Sequence, residues 1–308
     1  MGRYVLRRLL QLIPVFLGTT FLIYVLVWAI PGDPFAAQCG DRGCPDSYIN
    51  AMREKFNLDD PLPVQYGKYL LSLLQGDFGE TFAGIEVSEL IATAYPVTLE
   101  LALVALIIEG VIGGVAGILT GLRSRGFLDN LVLVSTLFLI SIPVFVTGFV
   151  LQYLLGLRWG IIEPTVSAQA PIGELIVPGF VLASLSMAYV ARLTRTSVAE
   201  NKRSDYVRTA VAKGLTPSRV AGVHLLRNSA IPVVTFLGTD LGTLMGGAIV
   251  TEGIFNIRGI GGLVYRAILT KEGATVVGVV TLLVIVYLLM NLLVDVFYAV
   301  LDPRIRYD

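Results

Sequence analysis

Few side chains in this sequence have a type and spacing that could carry covalent chemistry. His224 is the sole histidine, so a two-histidine metalloprotease motif cannot be assembled; it reads as a solvated or capping residue of a loop. Cys39 and Cys44 are the only cysteines. Two thiols cannot complete a four-ligand zinc site, and their spacing leaves open a small disulfide loop or two free thiols. No Gly-x-x-x-x-Gly-Lys-Ser/Thr run occurs, which excludes phosphate binding in the P-loop manner. Ser141 and Ser186 stand in apolar stretches that hold no histidine, so a hydrolytic nucleophile would lack its base. No metal site is expected. Glu109, Asp240 and Asp295 also stand in apolar stretches, where acids are costly and suggest function by default. A proton-coupled secondary carrier would need such groups. Solvated or hydrogen-bonded acids at helix interfaces are the plainer alternative, with water or Arg304 within reach of Asp295.

The elements that must position these residues are written in the hydropathy. Apolar residues make up 55% of the chain and charged residues 15%, against about 25% charged in an ordinary soluble domain. They gather in six blocks: Leu9 to Ala29, Thr98 to Leu122, Leu128 to Leu155, Ile176 to Val190, Ile231 to Val250 and Thr275 to Val300. A membrane-crossing helix needs about 20 such residues, and the fourth block is the shortest. Only helices and closed barrels satisfy their backbone in lipid, and the alternating strands of a barrel are absent. The expected fold is an all-α membrane protein with six transmembrane helices. The first block follows Arg3, Arg7 and Arg8, but it outruns a signal-peptide core. It leads into Pro31-Gly32-Asp33-Pro34 rather than a small-residue cleavage site, so it reads as an uncleaved first span.

Formal net charge is zero, so the sum points to no nucleic-acid partner, but the distribution sets an orientation. An N-terminus inside places Arg123, Arg125, Arg192, Arg195, Lys202, Arg203, Arg208, Lys213, Arg219, Arg227, Arg304 and Arg306 inside, with both termini cytoplasmic. The acid-rich 31–95 stretch falls outside. The exception is Gly253 to Gly273, which carries Arg258, Arg266 and Lys271 outward. Three regions follow: 1–30 as tail and first span, 31–95 as an extracytoplasmic insertion, and 96–308 as a core of five spans with a cytoplasmic loop over 192–230. Within the insertion the pattern predicts short helices at Ser47 to Phe56 and Pro63 to Leu74, separated by Asp59-Asp60-Pro61.

The cytoplasmic loop carries DYVRTAVAKGLTPSRVAGVHLLRNSAIP, Asp205 to Pro232. Val207, Ala210, Val211 and Gly214 recur at helical spacing and predict one apolar stripe. Gly214 is placed as a C-terminal stop. Thr216 and Pro217 predict the cap and first turn of a second helix. Pattern alone fits an interfacial helix on anionic lipid or a docking site for a cytosolic partner.

This loop resembles the coupling motif of ABC importer permeases: Glu-Ala-Ala, three residues, Gly, nine residues, Ile, one residue, Leu-Pro. Arg208, Thr209 and Ala210 take the first three places, Gly214 the glycine and Leu226 the leucine, while His224 and Arg227 replace Ile and Pro. YVRTAVAKG, Tyr206 to Gly214, is the form usual in the peptide-importer branch. The start through Pro31-Gly32-Asp33-Pro34 is similar to the B-type permease of dipeptide and oligopeptide (peptide/nickel) importers. So are Asn57 to Phe82, TEGIFNIRGIGGLVYRAI at Thr251 to Ile268, and Asn291 to Tyr307.

The resemblance implies a type I ABC importer permease fold in the bacterial inner membrane. It also implies a second homologous permease chain, two cytosolic ATPase subunits and an extracytoplasmic substrate-binding protein. ATP and Mg would be used by the ATPases, with no cofactor on this chain. Asp205, Tyr206, Val207, Arg208, Thr209, Ala210, Val211, Lys213 and Gly214 would form the coupling element, which transmits motion and performs no chemistry. Dipeptides or short oligopeptides are the expected cargo, with haem-like compounds or nickel chelates as alternatives within the family.

Two glycine sets complete the expectations. Gly113, Gly117 and Gly121 share one face of the second span, as Gly238, Gly242 and Gly246 share one face of the fifth. Small residues at this spacing allow backbones to approach. Packing within the chain is the favoured reading, with pore lining or a partner interface as the other. Gly259, Gly261 and Gly262 would permit a tight re-entry of the loop near Phe255 toward the translocation path, and a short helix shielding the helix ends is the alternative.

Overall fold

The computed structural model describes residues 2–29, 44–123 and 126–301; Cys39, Arg125, Arg304 and Arg306 lie outside them. Helical elements, some with a π-helical turn at one end or within them, organise the described residues. They are α1 (Gly2–Trp28), α2 (Asp46–Lys55), α3 (Leu62–Leu74), α4 (Val87–Leu122), α5 (Phe127–Ser141), α6 (Val144–Arg158), α7 (Ile172–Asn201), α8 (Asp205–Ala212), α9 (Arg227–Phe255), α10 (Ile260–Leu269) and α11 (Gly273–Leu301). Among the described residues, five helical stretches are long and apolar enough to cross a membrane, and six if α5 and α6 count as one broken span. The six-span expectation holds in that sense. The third block is not one rod, since α5 and α6 meet at 98°. Pro143 offers no N–H and clashes with a helical residue before it, and Ile142 accordingly turns extended at φ −96° and ψ 124°.

The fourth block, shortest by sequence, belongs to the 30-residue α7. Its buried residues run from Leu175 to Val198, beyond the apolar block at both ends. The insertion helices match their expected positions within two residues, and α3 starts on Pro61 with a further proline in its first turn, as a fixed φ favours.

The fold divides into two compact units, one from Met1–Thr98 and Arg258–Ala299, the other from Leu99–Ile257. In the first, Tyr66 of α3 meets Thr20 Oγ1 of α1 at 2.7 Å and donates to the Leu17 carbonyl at 3.1 Å. Tyr24 packs on Tyr66, Tyr69 and Trp28. Tyr69 donates to Thr281 of α11 at 2.9 Å; burial pushes its phenol up to about 12, so it remains a neutral donor. At the other end of α1, Arg8 Nε lies 3.0 Å from Asp295 on α11. Asp295 is therefore paired with Arg8 of the first span.

In the second unit α7 is the central rod. Gly113, Gly117 and Gly121 of α4 lie against it so closely that a Cβ at each would stand 2.7 Å from the Met187 carbonyl, 2.5 Å from that of Ala191 and 2.9 Å from that of Arg195. Gly179 on α7 and Gly148 of α6 instead meet side chains, those of Val104 and Ile254, whereas the α4 glycines meet the α7 main chain. Only a missing side chain permits backbone contact of this kind.

Candidate functional site

The chemistry-poor sequence directs attention to the basic loop, and its geometry is defined. Four elements of the second unit end or begin together there: the end of α4, the start of α5, the end of α7, and α8. Asp129 in the first turn of α5 is 3% exposed and takes a two-point ion pair from Arg195 of α7, Nε to Oδ1 at 2.5 Å and Nη2 to Oδ2 at 2.8 Å. Lys202 donates to the Leu122 carbonyl at 2.7 Å, which supplies an end carbonyl of α4 with the positive group it favours. These two contacts were not foreseen. Asp129 at the edge of an apolar block was the available signal, but its partner lies 66 positions away.

On this platform α8 starts after Ser204 with Asp205 in its first turn, an acid where the helix dipole favours one. It stops as the sequence predicts. Gly214 adopts φ +76°, its N–H reaches the Val211 carbonyl at 2.9 Å, and that of Leu215 reaches Ala210 at 3.3 Å. This is a Schellman closure, which needs a left-handed residue at that step. Thr216 takes the N-cap position before Pro217, but its carbonyl, not its hydroxyl, receives the first helical N–H groups from Arg219 and Val220. The chain then passes through a π-helical turn, Val220–Leu226, directly into α9.

The apolar stripe on α8 is divided. Val207 and Ala210 are buried in a cluster with Val198, Val220 and Leu225, with Ile118, Leu122, Leu215 and Leu226 against it. Val211 is 61% exposed, and Gly214 has open space where a Cβ would stand. The outward face carries Asp205, Arg208, Thr209, Ala212 and Lys213, flanked by Tyr206 and Val211. Tyr206 donates to Asn201 at 2.6 Å, and Arg208 lies 3.6 Å from Asp205 with both side chains largely solvated, a pair of little energetic weight. The stripe thus fastens α8 to its own chain and leaves a rigid, mixed polar and apolar ridge facing outward. A ridge of this kind has the mixed polar and apolar surface that a docking element needs. His224 is half-buried, and its carbonyl accepts from Asn228.

The other predicted residues fall elsewhere. Gly238 is half-buried, Gly242 buried and Gly246 exposed with open space around it, so the fifth-span set is not buried as one face within this chain. Phe255 is 1% exposed, and Gly259 and Gly261 are buried. The tight turn expected of glycine is made by Asn256, left-handed at φ 51°, which an asparagine tolerates. Gly259 is extended at φ −92° and ψ −175°. The loop continues as α10, whose Ile260 N–H donates to Thr98 Oγ1 at 2.7 Å. Cys44 is disulfide-bonded. Among the described residues no group of three or more His, Cys, Asp or Glu could hold a metal ion.

Comparison with known proteins bears on the whole length. The family model described as binding-protein-dependent transport system inner membrane component matches residues 113–307, and the N-terminal model of such membrane components matches residues 1–102. The chain is 35% identical to a probable peptide ABC transporter permease protein of Sinorhizobium fredii, with 100% of both chains covered. It is 36% identical to a di/tripeptide transport system permease protein of Pseudomonas aeruginosa, with 99% of both covered. A dipeptide transport system permease protein of Escherichia coli is 34% identical over 100% of this chain and 99% of its own.

Proposed function

Because this chain belongs to the family of binding-protein-dependent transport system inner membrane components, the pore-forming membrane subunits of ABC importers, we propose that its cargo is a dipeptide or short oligopeptide. The multi-pass helical architecture is that of an inner-membrane protein. The names of the full-length relatives support the cargo. The chain pairs with a second permease, and an extracytoplasmic binding protein delivers substrate to the path between them. Two cytosolic ATPases bind and hydrolyse ATP with Mg. Both termini and α8 are cytoplasmic, and 31–95 lies outside.

The observation that carries the coupling role is the split of α8. A helix whose inward residues Val207 and Ala210 are committed to its own chain, and whose start and stop are both fixed, can pass a push on its outer ridge into α7 and α9 without deforming. A gate shifts only if its driver contacts the two states differently. A groove on the ATPase that closes on nucleotide meets that condition when the α8 ridge sits in it.

The test is the set of chains that accompany this one through purification in mild detergent, followed by uptake in liposomes. The expected result is recovery of two ATPases and a second permease, and peptide accumulation that needs ATP, the ATPases and the binding protein. Accumulation by this chain alone, driven by a proton gradient, would instead identify a secondary carrier.

A further inference from the structure

The second unit holds a polar group that the transport reading does not use. Glu109 is fully buried in the middle of α4, where the helix widens into the π-helical turn Glu109–Gly113. Such a turn is an insertion frequently found at functional positions. Across from it on α9 stands Asp240, 7% exposed, and Ser186 of α7 lies alongside. The helices meet here directly, since a Cβ on Gly110 would stand 3.4 Å from Leu237, one turn before Asp240. Both carboxyl oxygens of Glu109 and the Oδ2 of Asp240 are buried without a hydrogen-bond partner. Among the described residues, the charged group acting on Glu109 is Asp240.

Two ionised carboxylates cannot face one another inside an apolar helix bundle with nothing between them. Each loses its hydration, and each repels the other. Buried acids elsewhere in this unit are treated otherwise, Asp129 receiving an arginine on both oxygens. Glu109 and Asp240 bring carboxyl oxygens from two helices, and the Ser186 hydroxyl beside them on a third is a single donor, too few for three buried oxygens that lack a partner among the described residues. The missing component is small, positive and able to accept carboxylate oxygens.

We propose that Glu109 and Asp240 form a closed intramembrane site for one small cation, a proton or an alkali metal ion, held between α4 and α9 with Ser186 as a further oxygen ligand. Occupancy ties the π-helical turn of α4 to α9, the helix that continues directly from the α8 loop. Loss of the cation loosens the contact through which movement of that loop reaches the second span. The site is distinct from the driving reaction, which remains ATP hydrolysis in the partner subunits.

The test uses the full chain with its co-purifying subunits in nanodiscs at neutral pH, in sodium, potassium or choline buffer, read by infrared spectroscopy and thermal unfolding. A protonated-carboxyl band that shifts in heavy water, persists in all three buffers and disappears in both Glu109→Gln and Asp240→Asn identifies a proton as the occupant. A midpoint that falls by several degrees in choline and returns with sodium or potassium, in the wild type but in neither variant, identifies an alkali ion. If the wild type has neither the band nor the ion-dependent midpoint, the site does not exist. Because that decision rests on wild-type protein, it stands even where a variant fails to assemble.

Discussion

The Ala191 carbonyl oxygen of α7 lies 2.5 Å from where a Cβ on Gly117 of α4 would stand. That backbone oxygen and the Thr194 Cβ occupy the space, and neither can move by a side-chain rotation. We expect Gly117→Leu to separate α4 from α7 and to cost at least the roughly 1–3 kcal/mol of an overpacked core. Gly246, with open space around it, serves as the control; Gly246→Ala should stay within about 0.5 kcal/mol. Thermal unfolding of the detergent-solubilised chain measures both, and equal midpoints for the two variants would overturn the assignment of Gly117 as a packing glycine.

The two faces of α8 should fail differently. Val207→Asp drives a carboxylate into the cluster of Val198, Val220 and Leu225, at a cost of several kcal/mol unless it is neutralised. The expected result is rapid proteolysis within the 205–215 segment. Ala212→Trp adds bulk to the exposed ridge. It should leave the melting curve and protease pattern unchanged while abolishing ATPase co-purification and peptide uptake. Retained uptake in Ala212→Trp would place the docking surface elsewhere.

Gly214 separates local conformation from docking. At φ +76° with no neighbour within 4 Å, it is constrained by backbone angle and not by space. Gly214→Ala should therefore cost about 1 kcal/mol, the penalty of a left-handed residue with a Cβ, and leave an assembled importer. Gly214→Trp carries the same backbone penalty plus a large group beside the ridge, and should lose the ATPases while remaining inserted. The comparison is read by co-purification at matched membrane yield, and loss of ATPase binding in the alanine variant would show that backbone geometry alone sets docking.

Much of this arrangement was legible in the sequence because it depends on local rules. Hydropathy blocks gave the spans, and Gly214 with Thr216-Pro217 gave the stop and restart after α8. What was hidden depends on tertiary neighbours. A periodic stripe such as Val207, Ala210 and Val211 says that a face is apolar, but not whether it meets the same chain or another. The fourth apolar block ends near Val190 because charged residues follow, yet α7 continues to Asn201, since helix propensity does not require apolarity. Glycines at 259, 261 and 262 suggested a tight re-entry, whereas the left-handed turn fell to Asn256. The meeting of Glu109 with Asp240 joins positions from separate spans and has no local signature at all.

Arg195 and Asp129 offer the sharpest test of how the platform beneath α8 is held. Asp129 is nearly sequestered and Arg195 a quarter exposed, so water screens the pair poorly and both oxygens of the acid are engaged. Removing one partner strands the other, and Asp129→Asn should cost about 3 kcal/mol, the lower end for a broken buried pair. Removing both together should cost much less, because the penalty comes from an uncompensated charge more than from a lost attraction. The double variant Asp129→Leu with Arg195→Met is accordingly expected to melt above either single variant. Strict additivity of the two single losses would mean that the two side chains act independently and that α5 is anchored by its apolar contacts instead.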